Sequence, residues 1–279
     1  MIEALQDERT WSALRISLQV AGLAVAAMLP VGVLVAWWLA RSTSRWTSLV
    51  EALVNLPLVL PPVVVGYLLV RAIGRRGWIG GPLHEHLGID LAFTWWAAAI
   101  ASAIMGFPLL VRSTRLAIEL VDRELERAAA NVGAGLWRTF LRVTLPLALP
   151  GVLAGTVLAF ARSLGEFGAT ILVAGNMPGS TRTLALAIWT EAQDPAAEDR
   201  VLALVLVSVG LSVASMLVAE WLRVRLERRL GHGCIRRARP TRRRRQDILR
   251  RALCEVCASW SAQAHRARGE RHWRESRTG

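Results

Sequence analysis

The sequence predicts an all-α, polytopic membrane helix bundle with five transmembrane helices; a second reading adds a sixth. Three observations carry this. Hydrophobic residues make up 53% of the 279 positions and the mean hydropathy is +0.38, above the usual range for a soluble domain. Five charge-free stretches, 16–40, 52–70, 91–111, 143–161 and 201–219, fall between charged boundaries, and crossing roughly 30 Å of hydrocarbon takes about 20 residues. The charge is also segregated. Residues 1–222 carry 16 Arg and 16 acidic residues, whereas 223–279 carry 18 Arg and 5 acidic residues, so the tail holds the whole net charge of +13.

The chain divides into an external segment 1–11, a membrane domain 12–222 and an Arg-rich cytoplasmic tail 223–279. Glu3, Asp7 and Glu8 precede the first apolar run, without the basic start or small-residue cleavage site of a secretory signal, so that run is expected to be retained. It ends at Arg41. The second run lies between Glu51 and Arg71 and contains Pro57, Pro61 and Pro62; the third contains Pro108; the fourth has Pro146 and Pro150 near its start. Proline removes a backbone donor and kinks a helix, and in a bilayer the freed carbonyls are tolerated beside other helices or a water-filled cavity. Clustered prolines thus point to a pathway, against the plainer reading that they only shape packing. The stretch 167–181 is short and holds Gly168, Gly175, Asn176, Pro178 and Gly179, as suits a loop or re-entrant segment. A sixth span over 167–189 would have to bury Arg182.

Arginines in short loops mark the cytoplasmic side. Arg41 and Arg45, the six arginines between Arg112 and Arg142, and the tail belong there, which puts the N-terminus outside and the C-terminus in the cytoplasm for five spans. Arg71, Arg75 and Arg76 are the main exception. All 34 basic residues are Arg, so no phosphate-binding G-x-x-x-x-G-K-[ST] loop can be completed. The cysteines, Cys234, Cys254 and Cys257, all lie in the tail and leave the redox compartment undetermined.

Along the segment from Glu119 to Arg142 and the turn before it, apolar residues at Leu116, Leu120, Ala128, Val132, Leu136 and Phe140 recur at helical spacing, interrupted by Gly133. Helix, glycine, helix makes a rigid knob suited to a partner's groove, or an amphipathic helix lying at the membrane surface without a partner. Glu126-Arg127-Ala128-Ala129, three residues, Gly133, nine residues, then Val143-Thr144-Leu145-Pro146 resembles the EAA loop of bacterial ATP-driven importer permeases. The glutamate sits one position early, at Glu126, with Arg127 in its place, and Val143 replaces isoleucine. Asn55 to Tyr67 and Phe160 to Thr170 resemble the second and fourth spans of the molybdate permeases; sulfate permeases, the near relatives, usually carry an additional N-terminal span.

The resemblance implies a type I ABC importer fold, a homodimer with a second permease copy, and two ABC ATPase subunits docked on cytoplasmic coupling helices. It also implies an external molybdate-binding protein. The chain itself would bind no cofactor, and ATP and Mg would act on the partner ATPase. Glu126, Arg127, Ala128, Ala129, Gly133, Leu145 and Pro146 would form the ATPase coupling element. A family glutamate that pairs with a basic group on the ATPase would have to be replaced by Glu126 reaching from its neighbouring position, or the contact would be lost.

For the path or gate the expected residues are Pro57, Pro61, Pro62, Thr156, Arg162, Ser163, Glu166, Thr170 and Asn176. Arg162 and Glu166 are spaced to pair on one helical face, as a gate or as an ordinary helix-end pair. Oxyanions are held by backbone N–H groups, hydroxyls and arginine. A tight cage in a permease would slow release, so the selective site is expected on the binding protein.

The tail composition, with Pro240 and the run 242–245, predicts disorder beside anionic membrane lipids. It has no aromatic platform or recognition fold for nucleic acid. A zinc site from His232, Cys234, Cys254 and Cys257 has poor spacing. The rivals from other classes are a membrane-anchored regulatory or nucleic-acid-binding protein acting through the tail, and a channel or ion-driven transporter.

Overall fold

The computed structural model describes residues 8–234, whose regular elements are all helices, with no strand among them. The chain divides into two units, Met1–Glu227 and Arg228–Gly279. The first carries all the elements below, except that its last helix runs on to Cys234. The expectations for residues 1–7 and for the tail beyond Cys234 lie outside the described residues.

α1 (Glu8–Arg41) puts an acidic residue in its first turn and Arg41 in its last, complementing the helix dipole. At 34 residues it is longer than a bilayer needs. Its buried face, including Ala13, Ile16, Val20, Ala21, Ala24 and Met28, follows the helical repeat. Small residues there allow close helix approach, as at Gly32, where an added Cβ would lie 2.7 Å from Leu110 Cδ2.

The expected single span at 52–70 is corrected to two helices, α2 (Trp46–Val59) and α3 (Pro62–Ile73), bent by 110°. The cause is local. Leu60 and Pro61 each precede a proline and are pushed out of the α region, with ψ of 141° and 134°. Pro62 then sits at the start of α3, where its missing N–H costs nothing. After the short α4 (Gly80–Leu87), Thr94 caps α5 (Trp95–Glu119). α5 begins and ends later than the apolar run because the cap fixes its start and polar residues continue the helix into water.

α6 (Arg123–Asn131), Gly133 at φ +83°, and α7 (Leu136–Thr139) form the expected helix, glycine, helix knob. A π-helical turn (Phe140–Thr144) joins it to α8 (Leu145–Leu164). Pro146 has no N–H for the Arg142 carbonyl and its ring would crowd that carbonyl; the widened turn ahead of it relieves both. α9 (Gly168–Ala174), α10 (Leu184–Glu191), a 3₁₀ turn (Pro195–Ala197) and α11 (Glu198–Cys234) complete the order.

The sixth span on 167–189 does not form as one helix. Gly175 and Gly179, both at φ +74°, break it between α9 and α10. Arg182 instead donates to Asn176 Oδ1 at 2.9 Å. Among the described residues four helical stretches are long and apolar enough to cross a membrane, and the bent α2–α3 pair makes a fifth where it is counted as one broken span and not a re-entrant loop.

The bundle has two distinguishable ends. At one, the starts of α1 (Ile16, Val20) and α5 (Ala97, Ala98, Ala99) pack with the end of α3 (Ala72, Ile73) and α9 (Val173, Ala174). At the other, the ends of α1 (Ala36, Leu39, Ala40) and α5 (Ile118) pack with Val121 and Ala148, beside the knob. α9 is held flush against α3, because a Cβ on Gly66 would lie 2.9 Å from the Ala169 backbone and one on Gly168 3.0 Å from Pro62.

Candidate functional site

The knob is fixed at its root. Asp122 caps α6, its carboxylate accepting from Glu124 N at 2.9 Å. One turn on, Glu126 Oε1 accepts from Arg41 Nη2 at 2.8 Å, from Arg41 Nε at 3.2 Å and from Thr144 Oγ1 at 2.6 Å. Arg41 Nη2 also donates to the Val121 carbonyl at 3.4 Å. One carboxylate thus ties α6 to the end of α1 and to the π turn that opens α8. Both partners of the ion pair are largely covered, with side chains 17% and 19% exposed, so solvent screens it less than a surface pair. Within this chain the Glu126 carboxylate is engaged by Arg41 and Thr144.

An aromatic cluster seats the other half of the knob. Phe140 lies 4.7 Å from Trp37 and 5.5 Å from Trp137, and the two tryptophans meet edge to face at 6.2 Å. What this frame presents outward is apolar: Val132 is 84% exposed and Leu136 82%. Arg127 and Ala128 are exposed beside them, and Ala129 is half-buried. An open hollow of about 630 Å³ runs along Gly133, Gly135, Leu136, Trp137, Leu141 and Arg142. Exposed apolar side chains grouped on one projection are the kind of surface that serves for interaction. Leu145 and Pro146 are half-buried at the start of α8 and shape the root of the knob.

The second expected group sits where α8 gives way to α9. Arg162 Nη1 lies 2.6 Å from Glu166 Oε2, and Glu166 Oε1 accepts from Ala169 N at 3.0 Å. Glu166 is only 2% exposed, so a buried carboxylate joins the end of one helix to the first turn of the next. Ser163 donates weakly to the Ser102 carbonyl at 3.4 Å. Ser163 and Thr170 are buried, so within this chain they do not line an open path as expected; both are packed at helix–helix contacts. Thr156 spends its hydroxyl proton on Val152 O at 2.8 Å, and Asn176 is bound to Thr190 and Arg182. Pro57 lies within α2, and Pro61 and Pro62 form the break.

Sequence reasoning missed Arg41 as the partner of Glu126, for these residues stand 85 positions apart. The only available signal was an arginine closing a span on the side of the knob. Among the described residues no group of three or more His, Cys, Asp or Glu could hold a metal ion. The side chains of His232 and Cys234, and all of Cys254 and Cys257, lie outside the description.

Residues 28–232 match the family described as binding-protein-dependent transport system inner membrane component. The chain is 52% identical over 212 residues to the Escherichia coli K12 molybdenum transport system permease protein ModB, covering 76% of this chain and 93% of that protein. It is 49% identical over 222 residues to the Haemophilus influenzae protein of the same description, covering 80% and 97%. Among solved structures, a bacterial ABC transporter involved in import of the acidic polysaccharide alginate matches with a TM-score of 0.65 at 19% identity, over 80% of this chain and 82% of that one.

Proposed function

We propose, from the premise that this chain belongs to the family of binding-protein-dependent transport system inner membrane components, that it is the permease through which an ATP-driven importer moves molybdate across the cytoplasmic membrane. The observation that carries the coupling half of this reading is the knob. It projects apolar Val132 and Leu136, and its root is bound to both α1 and α8. An ATPase that closes on nucleotide would push the knob, and Glu126 would pass the push to two membrane helices at once. The molybdate half is supported by the names of relatives at 49–52% identity.

Two copies of this chain would enclose the path, with two ATPase subunits bearing ATP and Mg on the cytoplasmic side. An external binding protein would deliver the anion. The N-terminus lies outside and the end of α11 inside. Arg162, Glu166 and the α2–α3 break would border the gate. The Arg162–Glu166 pair ties the end of α8 to the first turn of α9, so displacement of α8 would carry α9 with it.

Substrate class is tested by uptake into proteoliposomes holding this chain, its ATPase and the binding protein, with labelled molybdate competed by tungstate or sulfate. Molybdate uptake that needs ATP, is suppressed by equimolar tungstate and is little affected by sulfate is the expected result. Sulfate carried at the same rate would replace molybdate by sulfate as the cargo.

A further inference from the structure

The arginines that break the charge rule share one place. At the end of the bundle opposite the knob, a hollow of about 740 Å³ is lined by Tyr67, Arg71, Arg75, Arg76, Asp90 and Thr94, with others. Arg75 is spent. It grips Asp90 through Nε at 2.9 Å and Nη2 at 2.6 Å, and its hydrogen bond holds the Asp90 carboxyl below the usual carboxylate range. His84 Nδ1 lies 3.0 Å from the same carboxylate. Arg71 and Arg76 are exposed and have no acidic partner among the described residues. The last turn of α3 accounts for Arg71 as a cation at a helix C-terminus, but not for Arg76 in the loop beyond.

The wall behind them is built. Phe93 is held at φ 60°, a rare conformation for a bulky residue, and its N–H donates to Val173 O at 2.8 Å, which ties the hollow to α9. Uncompensated arginine outside the membrane works against insertion orientation, so it calls for a separate reason. We propose that Arg71 and Arg76, flanked by the Arg75–Asp90 pair, form a receiving site for a small dianionic oxyanion on the outer face of the permease. The class of ligand rests on the importer reading above. The hollow has room for a hydrated tetrahedral anion, and guanidinium groups open to water hold such an ion weakly and release it quickly. The site sits against α3 and α9, so an anion waiting there is beside the segments that border the gate.

The test uses the permease–ATPase complex in nanodiscs, with retention of labelled molybdate read directly, and in proteoliposomes, with uptake followed against the concentration of loaded binding protein. Arg71→Gln/Arg76→Gln is expected to weaken molybdate retention and lower the maximal uptake rate, each about tenfold. The half-saturating concentration of binding protein should not change. Arg76→Gln alone, in an exposed loop where folding is not at stake, should give about a threefold effect, and Asp90→Asn should strengthen retention. Unchanged retention in the double variant overturns the site. So does a raised half-saturating concentration with the maximal rate intact, since the arginines would then dock the binding protein. Charge-dependent retention without any ATP-driven uptake by the unaltered chain would sink the importer reading and keep the site.

Discussion

Glu126→Ala inserts and assembles but loses at least nine-tenths of ATP-driven uptake while its complex still hydrolyses ATP. The substitution removes the one group that links α6 to Arg41 of α1 and to Thr144 at the head of α8. It leaves the guanidinium without its carboxylate partner in a site where that side chain is 17% exposed. Losing charge-assisted bonds of this kind costs about 2–3 kcal/mol locally. That is enough to let the knob swing on its root but not to unfold the helix bundle. The ATPase could still close on the exposed apolar surface of the knob, yet the motion would no longer reach the helices. Glu126→Gln keeps an acceptor for Thr144 and loses the charge, so it should fall between the two. The measurement is the ratio of molybdate transported to ATP hydrolysed. Were the ratio unchanged in Glu126→Ala, the carboxylate would be a structural ornament of the loop and not its transmission.

Arg162→Ala produces the largest loss of stability expected of any single substitution discussed here, about 3 kcal/mol. It strips the counter-charge from Glu166, whose side chain is 1% exposed, while Arg162 itself is 29% exposed and so loses less on its own account. A buried carboxylate left without its counter-charge is costly. Glu166→Gln keeps an oxygen for Ala169 N and removes the charge, so in the Arg162→Ala background it should restore most of the lost thermal stability in detergent. If Arg162→Ala alone melts with the unaltered chain, the pair contributes no more than an exposed surface pair.

Much of this architecture is legible in the residues, for reasons that are physical. Exclusion of charge from hydrocarbon is a property of local composition, so five runs could be read directly. The knob was readable too, since the helical spacing of its apolar residues and Gly133 act within one or two turns. The break at Leu60–Pro62 announces itself as proline. Its 110° angle does not, because a following proline excludes the α region at Leu60 and Pro61 without fixing where in the extended region each ψ falls. The π turn ahead of Pro146 likewise needed the three-dimensional frame. Helix ends moved because polar flanks stay helical in water and because caps such as Thr94 override the apolar boundary.

The site divides the same way. The spacing of Arg162 and Glu166 on a helix predicts their pairing, and the structure contains it. Burial of Glu166 was not predictable, because it follows from the chain turning back into the bundle after Leu164. The Arg41 tie joins distant segments and leaves no local pattern. Hydroxyl chemistry marks Ser163 and Thr170 as groups suited to a path, but their burial in this chain is decided by packing, which no local pattern shows.

The central claim is that nucleotide-driven motion enters the bundle through the 123–144 segment. Gly133→Asp addresses it most directly: residue 133 stands at φ +83° with nothing within 4 Å of an added Cβ, so the variant strains the turn without touching the bundle. In proteoliposomes with the ATPase and binding protein, vanadate-sensitive molybdate uptake should be present in the unaltered chain and lost in the variant, with equal amounts inserted. Uptake that survives Gly133→Asp at the unaltered rate, or that proceeds without ATP, would contradict the account.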